Sequence, residues 1–199
     1  MAQIIESRFR VLEFDMDDVL LSDIADMGQP VHVKKELGEY SEPIQSKIDE
    51  LEPGNIVEAE VQSESISIQD DYWKFLDLRI IEKTRFHFLE DADDHPPWAD
   101  QLESHLQETD ENSVRTLIHT DSGPIGYITV ALDQGDSFWY GLRQGTNTHE
   151  FDLRTLKNWG DPPYEAIYTR SSDRDRLVFY HFGERGTRVA RGILSENQA

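Results

Sequence analysis

The sequence predicts an α+β chain with largely antiparallel sheet, in two halves. A small β-barrel-like half covers residues 1–92, and a second α+β half with two hairpins and two or three helices covers 93–199. Three observations predict it. Several short stretches alternate apolar and polar residues, the mark of half-buried strands. A few others carry apolar residues at helical spacing. Between the two sets lies an acidic run, EDADDHPPWAD, whose Pro96-Pro97 pair stops any strand that enters it.

The first half opens with RFRVLEF, where Phe9 and Val11 alternate with Arg10, Leu12 and Phe14, a strand buried in part on both faces. DDVLLSDI and PVHVKKEL read as further strands around a turn at Met27-Gly28-Gln29-Pro30. SEPIQSKIDEL reads as a helix. Ser41 is placed to cap it, Pro43 suits its first turn, and Ile44, Ile48 and Leu51 share a face. EPGN turns the chain into the alternating strand IVEAEVQ, with SISIQ placed to pair with it. WKFLDLRIIEKTRFHFLE, residues 73–90, is too long for a typical strand. A bend or bulge near Ile81-Glu82 makes it one curved strand or two. Short strands with one helix suggest a barrel of OB-like type or similar.

In the second half, Trp98, Leu102 and Leu106 recur at helical spacing, so residues 97–107 form an amphipathic helix. VRTLIHTD and IGYITVAL flank Ser122-Gly123-Pro124 as a hairpin. DSFWYGLRQG and EFDLRTLKNWG read as helices, the second ending at Gly160. YEAIYTR and RLVFYHF form a second hairpin across SSDRD. TRVARGIL is either a last strand or a short helix.

The composition speaks to solvent. Forty acids oppose 19 bases, a net charge of −21, yet four Trp, seven Tyr and nine Phe argue against disorder. Self-repulsion of that size strains a fold in dilute solution; molar salt, with a Debye length of roughly 3 Å, screens it. A salt-adapted, folded protein is the expectation. Without Cys there is neither disulfide framework nor thiolate chemistry, and the N-terminus lacks the basic start and apolar centre of a signal peptide. No apolar run reaches about 18 residues, so no membrane helix is expected. These features place the chain in the cytoplasm. The charge is uneven: residues 164–199 hold six Arg against five acids. That tail is an anion-facing patch on the functional reading. On the ordinary reading it is an Arg-bearing strand pair neutralised by Asp173, Asp175 and Glu184.

Motifs of catalysis are sparse. The acids Glu90, Asp91, Asp93 and Asp94 miss the calcium-loop spacing, because the places for Gly and Glu hold Pro96 and Leu102. Seven scattered His give no zinc pattern, so neither a metal nor a cofactor is expected. No G-x-S-x-G elbow exists, and the glycines of GPIG and GERG are too few for phosphate cradles. If the chain is a small enzyme with a pocket between its halves, the candidates are His119, His181, Tyr168 and Arg170. Each is equally at home in a core or an ion pair.

The strand at 73–88 joins aromatic and basic residues. Trp73 and Phe75 stand ready to stack bases, and Arg79, Lys83 and Arg85 to follow phosphates, as in single-strand binders of OB type. Salt argues against that use. Neutralising about four phosphates gives a log–log salt slope of about −3.6, which costs on the order of four decades of affinity between ~0.15 M and ~3 M salt. Packing of Trp73 and Phe75, with the bases paired to carboxylates, is the alternative.

RFRVLE, LEPGNIVEAEV, FLDLRIIEKTRFHFLE and the Pro/Trp helix after them resemble small uncharacterised haloarchaeal proteins with a β-rich N-terminal half, chiefly over residues 8–90. The resemblance implies a halophilic, cytoplasmic origin and carries over no activity and no functional residues. A non-enzymatic binding or adaptor module is the leading expectation. The enzyme, the nucleic-acid binder, and a subunit that meets a protein partner or its own copy stand behind it.

Overall fold

The computed structural model describes residues 2–15, 17–25, 30–36, 38, 40–65, 71–92, 94–109, 111–132, 134–144, 153, 156–157, 162–173 and 176–197. The turn at Met27–Gln29, most of SISIQ and most of the helix expected over 150–160 lie outside them. The chain divides into two compact units, Met1–Thr84 with Arg143–Asn147, and Arg85–Leu142 with Thr148–Ala199.

The first unit holds β1 (Ile4–Asp15), β2 (Asp18–Asp23), β3 (Val31–Lys34), α1 (Glu42–Asp49), β4 (Ile56–Ser65) and β5 (Asp71–Glu82). Its strands run in the order β1-β2-β3-β5-β4, and β4 pairs back onto β1, so the sheet is ring-like. All neighbours are antiparallel except β3 and β5, which meet in parallel at the single pairing Val33–Trp73. Five strands in a ring, with one helix between the third and fourth, follow the plan of an OB-like fold. The interior is filled by Phe9, Val11, Val19, Leu21, Val57, Val61, Phe75 and Leu78, together with Ile48 of α1. α1 starts as the Pro43 and Ser41 pattern predicts, but the Ser41 side chain makes no cap bond. Its carbonyl instead accepts from the amides of Ile44 and Gln45.

β5 carries two irregularities. Val57 pairs with Ile80 and Ile56 with Glu82, leaving Ile81 extra, at the place where the sequence requires a bend. Glu60 pairs with Asp77 and Val61 with Phe75, so Leu76 is extra as well. This second bulge reverses the side-chain alternation. Trp73 and Phe75 fall on the same face as Leu78 and Ile80, the face packed into the ring interior.

The second unit holds β6 (Arg85–Leu89), α2 (Pro97–Thr109), β7 (Ser113–Thr120), β8 (Gly123–Leu132), α3 (Gly135–Arg143), β9 (Glu165–Arg170), β10 (Arg176–Phe182), a 3-10 turn (Glu184–Gly186) and α4 (Thr187–Glu196). The sheet order is β6-β9-β10-β8-β7, antiparallel except for β6 beside β9. Thus the 73–90 stretch is two strands in different sheets, and TRVARGIL is a helix. β9 and β10 are buried almost throughout, which follows from cover on both faces. Trp139 and Leu142 of α3 pack on one face with Phe86, Tyr127, Tyr168 and Phe179. Ala99 and Leu106 of α2, with Ala190 and Ile193 of α4, pack on the other with Ile128, Val178 and Tyr180.

Candidate functional site

The aromatic-basic strand distributes its residues widely. Phe75 is 2% exposed and Trp73 is half-buried against the ring core, so Phe75 has no free face for a base. Arg79 does face outward. It donates to Glu58, which also accepts from Arg8 at 2.9 Å. The bonds from Arg79 first, then from Arg8, hold the Glu58 carboxyl below the ordinary range, and the same pairing pushes Arg79 up. Beside them Lys47 lies 3.5 Å from Asp77, whose carboxyl is held low first by the Leu78 amide and then by Lys47. In the cleft of about 430 Å³ that these groups line, each of the three cations meets a carboxylate of the lining. Arg85 lies in the second unit, where it and His87 meet Glu165 at 3.6 and 2.9 Å. Lys83 is exposed between the two strands.

Two of the four catalytic candidates meet. His181 on β10, Tyr168 on β9 and Tyr127 on β8 occupy one face of the second sheet. The His181 ring stacks on Tyr127 with centroids 4.6 Å apart, and its Nε2 lies 3.2 Å from the Tyr168 hydroxyl. Arg170, two residues beyond Tyr168, donates to Asp136 at the start of α3. His181 and Tyr168 are 0% and 1% exposed, respectively, so a solute reaches neither without opening the core. Rings of Phe86, Phe88 and Phe179 close around Tyr168. His119 lies on β7, exposed, with β8 between its strand and β10. The cluster is built as a core: Tyr168 and His181 bond each other among rings that bury them.

The accessible surface lies on the other side of β8. β7 is the last strand of its sheet, and six of its eight residues are exposed. Among the described residues no strand pairs with its outer edge, so that edge presents unpaired backbone N–H and C=O groups. The pairing with β8 is regular from Ser113 to Ile118 and shifts only at His119. Alongside runs an apolar groove of about 320 Å³ lined by Trp98, Gln101 and Leu102 of α2 and by Thr116, Leu117, Ile118 and His119 of β7. Trp98 is fixed edge-on to Tyr180 at 5.7 Å, and Leu117 is 43% exposed. Exposed acids flank the two elements in sequence: Glu108 at the end of α2, Glu111 before β7 and Asp121 after it. Arg115 of β7 is drawn over the Tyr127 ring at 4.7 Å and donates to Thr129. The sequence marks His119 alone of the groove residues as a candidate site residue, and Trp98 and Leu102 as a helix face. The missed signal is Leu117, an apolar side chain on the parity that otherwise holds Ser113, Arg115 and His119.

The chain belongs to a family of unknown function (DUF6663), whose model matches residues 1–196. No curated protein and no solved structure matches it. No described helix is long and apolar enough to cross a membrane.

Proposed function

We propose that the protein is a non-enzymatic binding module whose working surface is the outer edge of β7 with the groove beneath α2. Its occupant is an extended segment of a basic partner protein, added antiparallel to β7. The observation that carries this reading is the free, regular edge from Ser113 to Ile118 beside an apolar groove in a chain of net charge −21. Backbone pairing supplies affinity in strand addition, and alternate side chains supply specificity. Here an aliphatic anchor fits the groove that Trp98, Leu102 and Ile118 line, and Lys or Arg on the neighbouring positions meets the acids that flank β7. The enzyme reading has less support, since its best-placed groups are sealed in the core.

A ten-residue peptide alternating Val and Lys, capped at both ends and fluorescently labelled, tests the proposal by anisotropy. Binding is expected for that peptide and not for one of the same composition with the Val and Lys segregated. Leu117→Lys should weaken binding about tenfold or more, because burying a leucine is worth roughly 1.5–3 kcal/mol. Equal affinity for both peptides would reduce the interaction to bulk charge and overturn the proposal.

The charge excess supports a salt-adapted, cytoplasmic and haloarchaeal protein. On that reading, raising KCl from about 0.1 M to about 3 M lifts the thermal unfolding midpoint by about 10 °C, as relief of a few kcal/mol of self-repulsion would for a chain of this size. A midpoint that does not move with KCl would remove the salt-adapted reading.

A further inference from the structure

The described arginines of the C-terminal tail separate into two groups. Those on strands are matched to acids: Arg170 to Asp136, and Arg176 to Asp100 at 3.2 Å and to Glu103 at 2.5 Å. Arg8, Arg10, Arg79, Arg85 and Arg143 likewise each meet a carboxylate. Arg185, Arg188 and Arg191 are different. They are exposed, they sit on the 3-10 turn and α4, and among the described residues none forms an ion pair. In a chain with 40 acids and 19 bases, three neighbouring cations left unmatched are the exception that calls for a cause.

α4 sets them on its solvent side. Ala190 and Ile193 bury the opposite face, and Val189 and Leu194 pack beside them. Arg188 and Arg191 are three residues apart, about 4.5 Å along the axis, and Arg185 extends the row past the helix start. That start is the positive end of the helix dipole, and its cap position, Gly186, makes no side-chain bond to it. Next to the arginines lie Gly192, with open space where a Cβ would stand, and the small Ser195, whose hydroxyl donates to the Gly192 carbonyl at 2.8 Å. The small Gly192 and Ser195 beside the guanidinium groups leave room for an extended backbone to approach. All three cations are Arg and none is Lys, which favours forked recognition of oxyanions. Glu184 and Glu196 stand only at the two ends of the row.

We infer that this face of α4 holds the phosphodiester backbone of a nucleic-acid strand. The evenly repeated charge of such a strand suits a row of evenly spaced cations better than the irregular carboxylates of an acidic protein do. Three single-strand contacts give a log–log salt slope of about −2, so the attraction is strongest in dilute salt and falls by on the order of two to three decades towards ~3 M. The site is separate from the β7 groove, and a module that grips a protein segment at one surface and a nucleic-acid strand at another is an adaptor.

The test is the anisotropy of fluorescein-labelled 12-nucleotide oligo(U) and oligo(dT) titrated with the full chain over a KCl series. Both should bind at the lowest salt, and the stronger of the two identifies the strand type. Replacing Arg185, Arg188 and Arg191 together by Gln should weaken binding at least tenfold and flatten the log–log salt slope by about 2, since each single-strand phosphate contact contributes about 0.7. Arg188→Lys/Arg191→Lys keeps the charge and should retain most of the slope while losing affinity. An unchanged thermal midpoint shows that the fold persists. Absence of binding by the unaltered protein overturns the inference. So does a triple variant that binds as well as the parent, or competition by polyglutamate as effective as that by oligo(U).

Discussion

Replacing Gly126 by Ala should cost about 3 kcal/mol or more of stability. Gly126 lies on β8 directly opposite Phe182 of β10, with Ile118 of β7 on its other side. A Cβ there would overlap the backbone carbonyl of His181 and stand 2.9 Å from Cδ1 of the Phe182 ring. That carbonyl belongs to a buried strand paired on both sides, so it cannot give without disturbing the ladder. Nor can the ring: a Cβ at Gly186 would stand 2.6 Å from the same Cδ1, so Phe182 is seated between two glycines. Overpacking usually costs about 1–3 kcal/mol, and a clash with backbone belongs at or above the top of that range. Gly192→Ala is the control. It is a helix glycine with open space around its missing Cβ, and it should gain about 0.5–1 kcal/mol. Urea unfolding followed by Trp fluorescence reads both, and the predicted signs are opposite. A Gly126→Ala protein as stable as the parent would show that the strands approach less closely than described.

Replacing Arg10 by Met should cost about 3 kcal/mol. Arg10 is 3% exposed, donates to the Gly54 carbonyl at 2.6 Å and lies 3.4 Å from Glu82, itself largely buried. Glu82 also accepts from the Thr84 hydroxyl at 2.6 Å, and the Thr84 carbonyl accepts from Asn55 at 3.1 Å. Thus one buried chain of bonds ties β1 and the turn before β4 to the end of β5. Removing the cation strands a carboxylate in a desolvated place, which typically costs about 3–5 kcal/mol. The Thr84 hydroxyl offsets part of that, so the low end is expected. Arg10→Met combined with Glu82→Gln should recover at least about 1 kcal/mol, because no uncompensated charge remains. If the double variant is as unstable as the sum of the two single ones, the pair is not coupled and the cost has another origin.

Much of the architecture was legible in the residues, and the exceptions share a cause. The helices over α1, α2 and α3, the two hairpins of the second sheet and the α+β class all follow from local periodicity and turn chemistry. The partner of each strand does not. Nothing within RFHFL tells that β6 leaves the ring and pairs in parallel with β9, some 80 residues on. The bulge at Leu76 has no local signature either, since Leu-Asp-Leu is regular alternation; its effect was to send Trp73 and Phe75 inward and leave Arg79 outside. His181 and Tyr168 were recognisable as polar residues on apolar strands, but their burial is set by rings from β6, β8 and α3 that only the fold brings together. The free β7 edge is legible only once the sheet order is known.

The claim that matters most is that ligands meet this protein at the β7 edge, not at the buried His181–Tyr168 pair. Amide hydrogen exchange, measured residue by residue with and without the alternating Val/Lys peptide, tests it directly. Strand addition predicts new protection at amides within 113–118, with residues 127, 168 and 181 unchanged. Protection that appears around Tyr127, Tyr168 and His181 while the β7 amides exchange as before would contradict the account.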